Sequence, residues 1–373
     1  MSISVCALVP YPANTAPSQR FRIEQWVPPL AEHGISVDLL PFLDQKLMRL
    51  LHRRGATLAK AVLTSNALIR RLGHVARAVR YDAVVIHRSV CIAGPATLER
   101  FIAVVGRPII FDFDDAIFEL HTTEANRRLA WMKFPGKTAA ICRLSAQVIA
   151  GNSYLADYAN QYNSRVSIVP TSVDTERYRP LATPKQEGRP FVVGWTGSST
   201  SQTHLEAFAP VLRRLIKLAN IQLRVISDRP PVMPEVPFVW RRWSAETEVK
   251  DLAQFDVGIM PMPDDRWARG KCSLKALSYM SMGIPAVCSP VGTNREIIRD
   301  GENGLFASTP EEWLGKVRTL VEQPELRKTL GAAGRSTVLE HYSMTKCADL
   351  FARVVEETVA ARGQLLSRRG AEC

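Results

Sequence analysis

Nowhere in this chain do about 18 apolar residues run together, the length a helix needs to cross a bilayer, so a spanning helix is excluded. Cysteine is scattered. Cys6, Cys91, Cys142, Cys272, Cys288, Cys347 and Cys373 form no CxxC pair, and no histidine is spaced to complete a zinc site. An odd number of thiols without a secretory leader implies reduced cysteines and a cytoplasmic location, on the inner face of a membrane if the protein is peripheral. The stretch Met1 to Val9 has no basic flank and meets Pro10, so it is expected to be a buried first strand and not a signal peptide. No repeat of fixed period and no low-complexity tract occurs. No helix-turn-helix, zinc or RNA-recognition signature marks the chain for nucleic acid.

A local absence is more telling. Between Lys46 and Arg80 there is no Asp or Glu, while nine basic residues occur: Lys46, Arg49, Arg53, Arg54, Lys60, Arg70, Arg71, Arg77 and Arg80. Leu47, Met48, Leu50, Leu51, Leu58, Val62, Leu68 and Ile69 are interleaved with them. A basic amphipathic helix pair of this kind suits an anionic membrane surface. It equally suits the solvated face of helices packed on a sheet. The whole chain carries a formal charge of +12, which asks for an anionic partner without choosing between nucleotide, membrane and nucleic acid.

What is present is a globular composition, 46% apolar and 23% charged over 373 residues, long enough for two domains. Short apolar runs alternate with helix-like segments. Ile3–Leu8, Val37–Leu40, Ala83–Ile86, Ile109–Phe113 and Gln147–Ala150 read as strands, and the pattern resumes at Val192–Trp195, Leu223–Ile226, Val257–Met260 and Ala286–Cys288. This predicts α/β architecture with parallel sheets buried on both faces. Prolines 170, 180, 184 and 190 cluster where the pattern pauses. The expected division is 1–172, a linker and hinge at 173–190, 191–342, and a terminal amphipathic helix in 343–373, with a cleft between the two layers. Leu350, Phe351, Val354, Val355 and Val359 line one side of that helix.

The residues that point to chemistry follow the strand at Val257. A polar loop from Pro263 to Gly270 leads into a segment expected to be helical as far as Gly283, where Gly-Ile-Pro stops it. On such a helix Lys271, Lys275 and Ser278 fall at i, i+4 and i+7 and share a face. A helix N-terminus just past a parallel strand, with two lysines in its first turns, is an anion site suited to a diphosphate.

Beyond it the order Gly283-Ile284-Pro285-Ala286-Val287, then Ser289-Pro290-Val291-Gly292-Thr293-Asn294-Arg295-Glu296, then Asp300-Gly301-Glu302-Asn303-Gly304-Leu305 resembles the donor domain of family 4 retaining glycosyltransferases. Val225-Ile226-Ser227-Asp228-Arg229-Pro230 resembles that family's strand-then-GDGP turn. Ile168-Val169-Pro170-Thr171-Ser172-Val173-Asp174 resembles its I-P-N-G-V-D stretch. The likeness covers about 165 to 345 well and the N-terminal half loosely. It implies the GT-B fold, with two Rossmann-like domains whose parallel sheets face across a cleft and a C-terminal helix that crosses back to the N-terminal domain. It implies a nucleoside diphosphate sugar as donor, a hydroxyl acceptor, retention, and no metal, helix N-termini and basic side chains offsetting the leaving charge.

The departures are specific. Members carry two glutamates with seven residues between them that bind donor sugar and ribose, and Gly270 and Ser278 stand in those places. Ser278 is left as a weaker ribose partner. The family's early Arg and Lys are replaced by Thr196-Gly197-Ser198-Ser199-Thr200, a turn able to donate backbone and hydroxyl hydrogen bonds. The diphosphate is therefore expected between Ser198–Thr200 and Lys271–Lys275, with Ser273 nearby. Glu296 belongs either to the donor site or to a capping box with Thr293. The loop with Arg242 and Trp243 reads the base in the family, although Trp243 equally suits a core anchor.

In the first half, Arg20 and Arg22 follow the first strand and are read as structural or as phosphate or acceptor ligands. His87 and Arg88 end the third strand on the acceptor side. Asp112, Asp114 and Asp115 end the fourth. By resemblance Asp114 and Asp115 contact donor or acceptor hydroxyls, while Asp112-Phe113-Asp114 also fits a metal-binding DxD of another fold. His121 is a second candidate to assist the acceptor proton. The competing functions are a sugar-nucleotide epimerase or hydrolase of the same fold and a non-catalytic protein of anionic surfaces. A lipid-linked or surface-polysaccharide acceptor would suit the basic segment.

Overall fold

A computed structural model describes residues 2–51, 55–92, 94–119, 134, 136–181, 188–218 and 220–371. Compactness divides the chain into two units, Met1–Thr171 with Thr345–Cys373, and Ser172–Met344. The stretch read as linker lies in the second unit, where buried Tyr178 donates to Glu248 Oε2 at 2.6 Å. His121 and residues 182–187 lie outside the described residues.

The first unit holds a six-stranded sheet of β1 (Ile3–Val9), β2 (Ile35–Pro41), β3 (Ala83–His87), β4 (Ile109–Phe113), β5 (Gln147–Ala150) and β6 (Val166–Ile168), ordered β2-β1-β3-β4-β5-β6. Every pairing is parallel. Strands β3 and β4 are buried along their whole length, as continuous Val/Ile/Phe runs demand when helices cover both faces. The second unit repeats the plan with β7 (Phe191–Gly197), β8 (Ile221–Ser227), β9 (Val239–Arg242), β10 (Val257–Met260), β11 (Ala286–Cys288) and β12 (Leu305–Phe306), ordered β12-β11-β10-β7-β8-β9 and again parallel.

The terminal helix, Met344–Ala371, belongs to the first unit from Thr345 on. Phe351 packs on Trp26 with ring centroids 5.1 Å apart, and Asp349 meets His33 Nε2 at 3.0 Å. Phe351, Val354 and Val355 are buried, as the amphipathic pattern requires. The six described cysteines are buried and form no disulfide with one another. Among the described residues no helix is long and apolar enough to cross a membrane.

Glycines make room for the aromatic core of the second unit. A Cβ on Gly194 would lie 2.0 Å from the Phe255 ring, and one on Gly258 would lie 2.2 Å from the Tyr279 ring. These two positions let Phe255 and Tyr279 lie flat against the sheet.

Candidate functional site

In the second unit the sheet order reverses between β7 and β10: β8 and β9 continue on one side, β11 and β12 on the other. Ligands of open α/β sheets bind outside the carboxyl ends of the strands at such a point. Strand β7 ends there in Thr196-Gly197 and the turn Ser198-Ser199-Thr200. Buried Tyr279 accepts the Thr196 N–H through its hydroxyl at 3.0 Å and so fixes the strand end. The Trp195 ring lies against Gly197, where a Cβ would come within 2.5 Å of it, and the Lys275 ammonium lies 5.5 Å from the centroid of the same ring. A cation of the segment after β10 is thus held beside the turn that follows β7.

The turn is already hydrogen-bonded. Ser198 and Thr200 hydroxyls are 2.7 Å apart, and the Ser199 N–H donates to Asp228 Oδ1 at 2.6 Å. Gln202, buried at the start of the helix Gln202–Ala207, donates to the Ser227 hydroxyl at 3.2 Å and to the Arg229 carbonyl, and so ties this turn to the one after β8.

The helix expected to run to Gly283 begins later than the sequence suggests, and the loop expected before it holds a short helix of its own. Asp265 caps this short helix, Arg266–Arg269, by accepting the Ala268 N–H at 2.7 Å, and the main helix runs Leu274–Ser281. Lys271 lies in the loop between them, so it does not share a helical face with Lys275. The late start has identifiable causes. Ser273 is left-handed at φ 52°, its hydroxyl donates to Asn294 at 2.6 Å, and the Lys271 carbonyl accepts from Thr293 at 2.7 Å. These bonds stitch the loop to the segment after β11. Lys271 lies 4.5 Å from the centroid of Trp267.

Two further expectations change. The Thr293–Glu296 capping box does not form: Thr293 is already helical at φ −57° and ψ −21°, and its hydroxyl makes no cap bond to its own helix but donates to the Lys271 carbonyl. A capping box forms instead at Thr309 and Glu312. Ser278, left as a weaker ribose partner, is buried and donates its one hydroxyl proton to the Leu274 carbonyl at 2.8 Å, so toward a ligand it can only accept. Arg242 is exposed on the edge strand β9, and Trp243 follows it with its N–H donating to the Ser227 carbonyl at 2.9 Å.

The first unit has its own reversal, between β1 and β3. Here Ser18, on the helix Pro17–Arg22 after β1, lies 2.9 Å from His87 Nε2 at the end of β3, and its Oγ donates to Asp114 Oδ1 at 2.7 Å. His87 Nδ1 is 2.6 Å from Asp112 Oδ2, with both residues fully buried. The order Ser18, His87, Asp112 resembles a nucleophile triad in outline. The one hydroxyl proton of Ser18 goes to Asp114 in this arrangement, so Ser18 does not hand it to the imidazole.

Arg22, read as structural or as a phosphate or acceptor ligand, is fully buried. It forms a 2.5 Å ion pair with Asp112 and donates to the Val169 carbonyl at 2.8 Å, so it joins β4 to the chain that leaves the unit. Arg20 is buried with its guanidinium 4.4 Å from the Phe21 ring. Arg88 adopts φ 63° and reaches Asp114 and Asp115 at 2.8 Å and 2.7 Å. Burial raises the pKa of Asp114, but Arg88, His87, Arg22 and the Ser18 hydroxyl outweigh it and hold the carboxyl well below the usual range. Burial likewise opposes Asp112, and Arg22 and His87 win there too. Both acids of the DxD pattern are therefore engaged by cations and donors of this chain, Asp112 through both oxygens and Asp114 through Oδ1, which fits a hydrogen-bonded network better than a metal pair.

Sequence reasoning missed Ser18, Tyr279 and Asp228 as site-forming groups. Ser18 carried a signal, since it stands in the first turn after β1 at a reversal point. Tyr279 did not, because only the close approach permitted by Gly258 shows which way its hydroxyl points.

The chain is similar to known proteins in sequence over the second unit and in fold over most of its length. The profile of the family described as glycosyl transferases group 1 matches residues 190–323. An uncharacterized glycosyltransferase of Methanocaldococcus jannaschii, MJ1178, is 36% identical over 84 residues, 22% of this chain and 24% of that protein. The aligned stretch thus spans about a quarter of that relative's length. Among solved structures, the sucrose-phosphate synthase of Thermosynechococcus elongatus aligns with a TM-score of 0.69 at 13% identity, over 96% of this chain and all of that one. Anabaena HepE in complex with UDP and glucose aligns with a TM-score of 0.63 at 13% identity, over 95% of this chain and 100% of HepE. Residues 190–323 thus carry the profile of the group 1 glycosyltransferases, and the two parallel six-stranded sheets with these alignments give the chain the GT-B fold.

Proposed function

We propose that the protein moves a glycosyl group from a nucleoside diphosphate sugar to a hydroxyl acceptor, with retention at the anomeric carbon. The bond from the anomeric carbon to the phosphate oxygen breaks, a bond to the acceptor oxygen forms, and the acceptor proton passes to the leaving phosphate. The observation that carries this reading is Lys275 beside the Ser198–Thr200 turn at the reversal point of the second sheet. Fixed donors and cations at the place where charge develops supply most of the rate in such a step. Lys271, Lys275 and the backbone and hydroxyl donors of Thr196, Gly197, Ser198, Ser199 and Thr200 hold the diphosphate. Arg242 and Trp243 contact the base, and Asp114 and Asp115, oriented by Arg88, accept hydrogen bonds from donor or acceptor hydroxyls.

HepE is described with UDP and glucose, which supports a UDP-sugar as the first donor to try. A lipid-linked or surface-polysaccharide precursor is the proposed acceptor class, from the basic surface of the first unit. Thermal shift with UDP, GDP, ADP and dTDP sugars tests the donor, because a ligand that binds only the native state raises Tm by mass action. Turnover is then followed with and without acceptors. Donor consumption without acceptor selects the hydrolase or epimerase reading, and failure to bind any nucleotide leaves the transferase reading without support.

A further inference from the structure

The helix Thr57–Arg77 packs one side on the first unit and leaves an apolar side uncovered. Ala67, Arg71 and Val75, at i, i+4 and i+8, are its buried residues. On the opposite side Leu58, Val62, Ile69 and Leu72, at i, i+4, i+11 and i+14, are 78%, 51%, 68% and 54% exposed. Leu68 beside them is 41% exposed. Single exposed leucines need no explanation, but a stripe along several turns of one helix does. The charges within the segment have one sign, and the nearby acid Asp44 is already paired with Arg70 at 3.5 Å. Lys46, Arg49, Arg77 and Arg80 are exposed, and no acid occurs between Lys46 and Arg80. The structure also removes Arg71 from that basic surface, since its guanidinium is buried and donates to the Val9 and Leu40 carbonyls at 2.7 Å and 2.8 Å.

We propose that this face docks on an anionic phospholipid bilayer, with the helix lying in the interface, its Leu58–Leu72 stripe among the acyl chains and Arg77, Arg80, Lys46 and Arg49 against the headgroups. The spacing alone would also make a coiled-coil seam with a second copy. Such a seam places the flanking charges of the two helices together and relies on acids to pair with them, and this segment has none. Lipid headgroups supply the missing negative charge, and binding strength follows buried apolar area plus that attraction. The inference stands apart from the proposed transfer reaction, because docking needs neither donor nor acceptor.

The test is co-sedimentation of the full chain with vesicles of equal parts phosphatidylglycerol and phosphatidylcholine, and with phosphatidylcholine alone, without nucleotide or acceptor. The protein is expected to pellet with the anionic vesicles, to be released as salt rises, and to stay largely in solution with the neutral ones. Ile69→Asp with Leu72→Asp, both exposed and so compatible with folding by circular dichroism, should weaken binding by at least about tenfold, the equivalent of losing part of the burial of two aliphatic side chains. Val232→Asp, at a residue 77% exposed in the second unit, should bind like the unaltered chain. The proposal is overturned if the protein ignores anionic vesicles or if the double variant binds as before. It is also overturned if the unaltered chain is a dimer that the double variant dissociates, since the face then belongs to a second copy.

Discussion

The Lys275 ammonium lies 5.5 Å from the centroid of the Trp195 ring, and this contact joins the helix after β10 to strand β7 where the sheet order reverses. It places one positive charge beside a turn whose backbone is held by Tyr279 and Asp228. If that charge meets the donor diphosphate, Lys275→Ala removes a charge-assisted bond, and UDP affinity should fall by about tenfold to a hundredfold. Lys271→Ala should act in the same direction. Isothermal titration with UDP checks both, and unchanged affinity in the pair would mean that the phosphate site is elsewhere.

Tyr279→Phe deletes the hydroxyl that accepts the Thr196 N–H and leaves a buried donor unpaired. A loss of about 1–3 kcal/mol in stability is expected from urea unfolding. Because the bond also fixes the strand end that leads into the turn, UDP should bind more weakly in a protein that remains folded.

Asp228 offers the opposite expectation. Its carboxylate accepts the Ser199 N–H and puts a negative charge on the turn. Asp228→Ala frees the donor and removes the repulsion, so diphosphate binding should tighten by about threefold to tenfold. Weaker UDP binding in titration would show that Asp228 supports the bound turn instead of competing for it.

Arg22 and Asp112 are both fully buried. Asp112→Ala leaves the guanidinium without its counter-charge and should cost about 3–5 kcal/mol. The double change Arg22→Met with Asp112→Leu should recover much of that loss, because an apolar pair of similar volume carries no desolvation penalty. Denaturant midpoints of the three proteins decide the matter.

The same network predicts acid lability. Asp112 and Asp114 have folded pKa values below the ordinary 3.8. A depressed carboxylate contributes stability at pH above its unfolded value, and that contribution is lost as pH falls through the folded value. Tm should therefore be nearly flat from about pH 7 to pH 5 and fall steeply below about pH 4. A Tm that rises on acidification would contradict the assignment.

The central strands were legible because parallel strands covered on both faces are near-continuous apolar runs, as Ala83–Ile86 and Ile109–Phe113 show. The three strands not foreseen, β6, β9 and β12, all sit at sheet edges, where one side is uncovered and the apolar run is short. The late start of the helix after Lys271 was illegible for another reason. Lys271 to Ser278 has helical spacing, and only the bonds from Thr293 and to Asn294, contributed by residues some twenty positions away, keep its first residues out of the helix.

By itself the sequence determined two parallel α/β sheets, the family likeness of the second, the terminal amphipathic helix and a basic segment without acids. Each is a matter of local period, composition or motif order. Tertiary structure alone decided which charged residues face solvent and which are consumed inside. Arg22 and Arg71 look like surface cations in the chain, yet both are buried against partners distant in sequence. Lys275 is held at a reversal point that exists only once the sheet is ordered. The physical reason is that a charge can be taken out of water only where acceptors stand ready to meet it. For Arg22 and Arg71 those acceptors come from strands and turns far along the chain, and only packing brings them within reach.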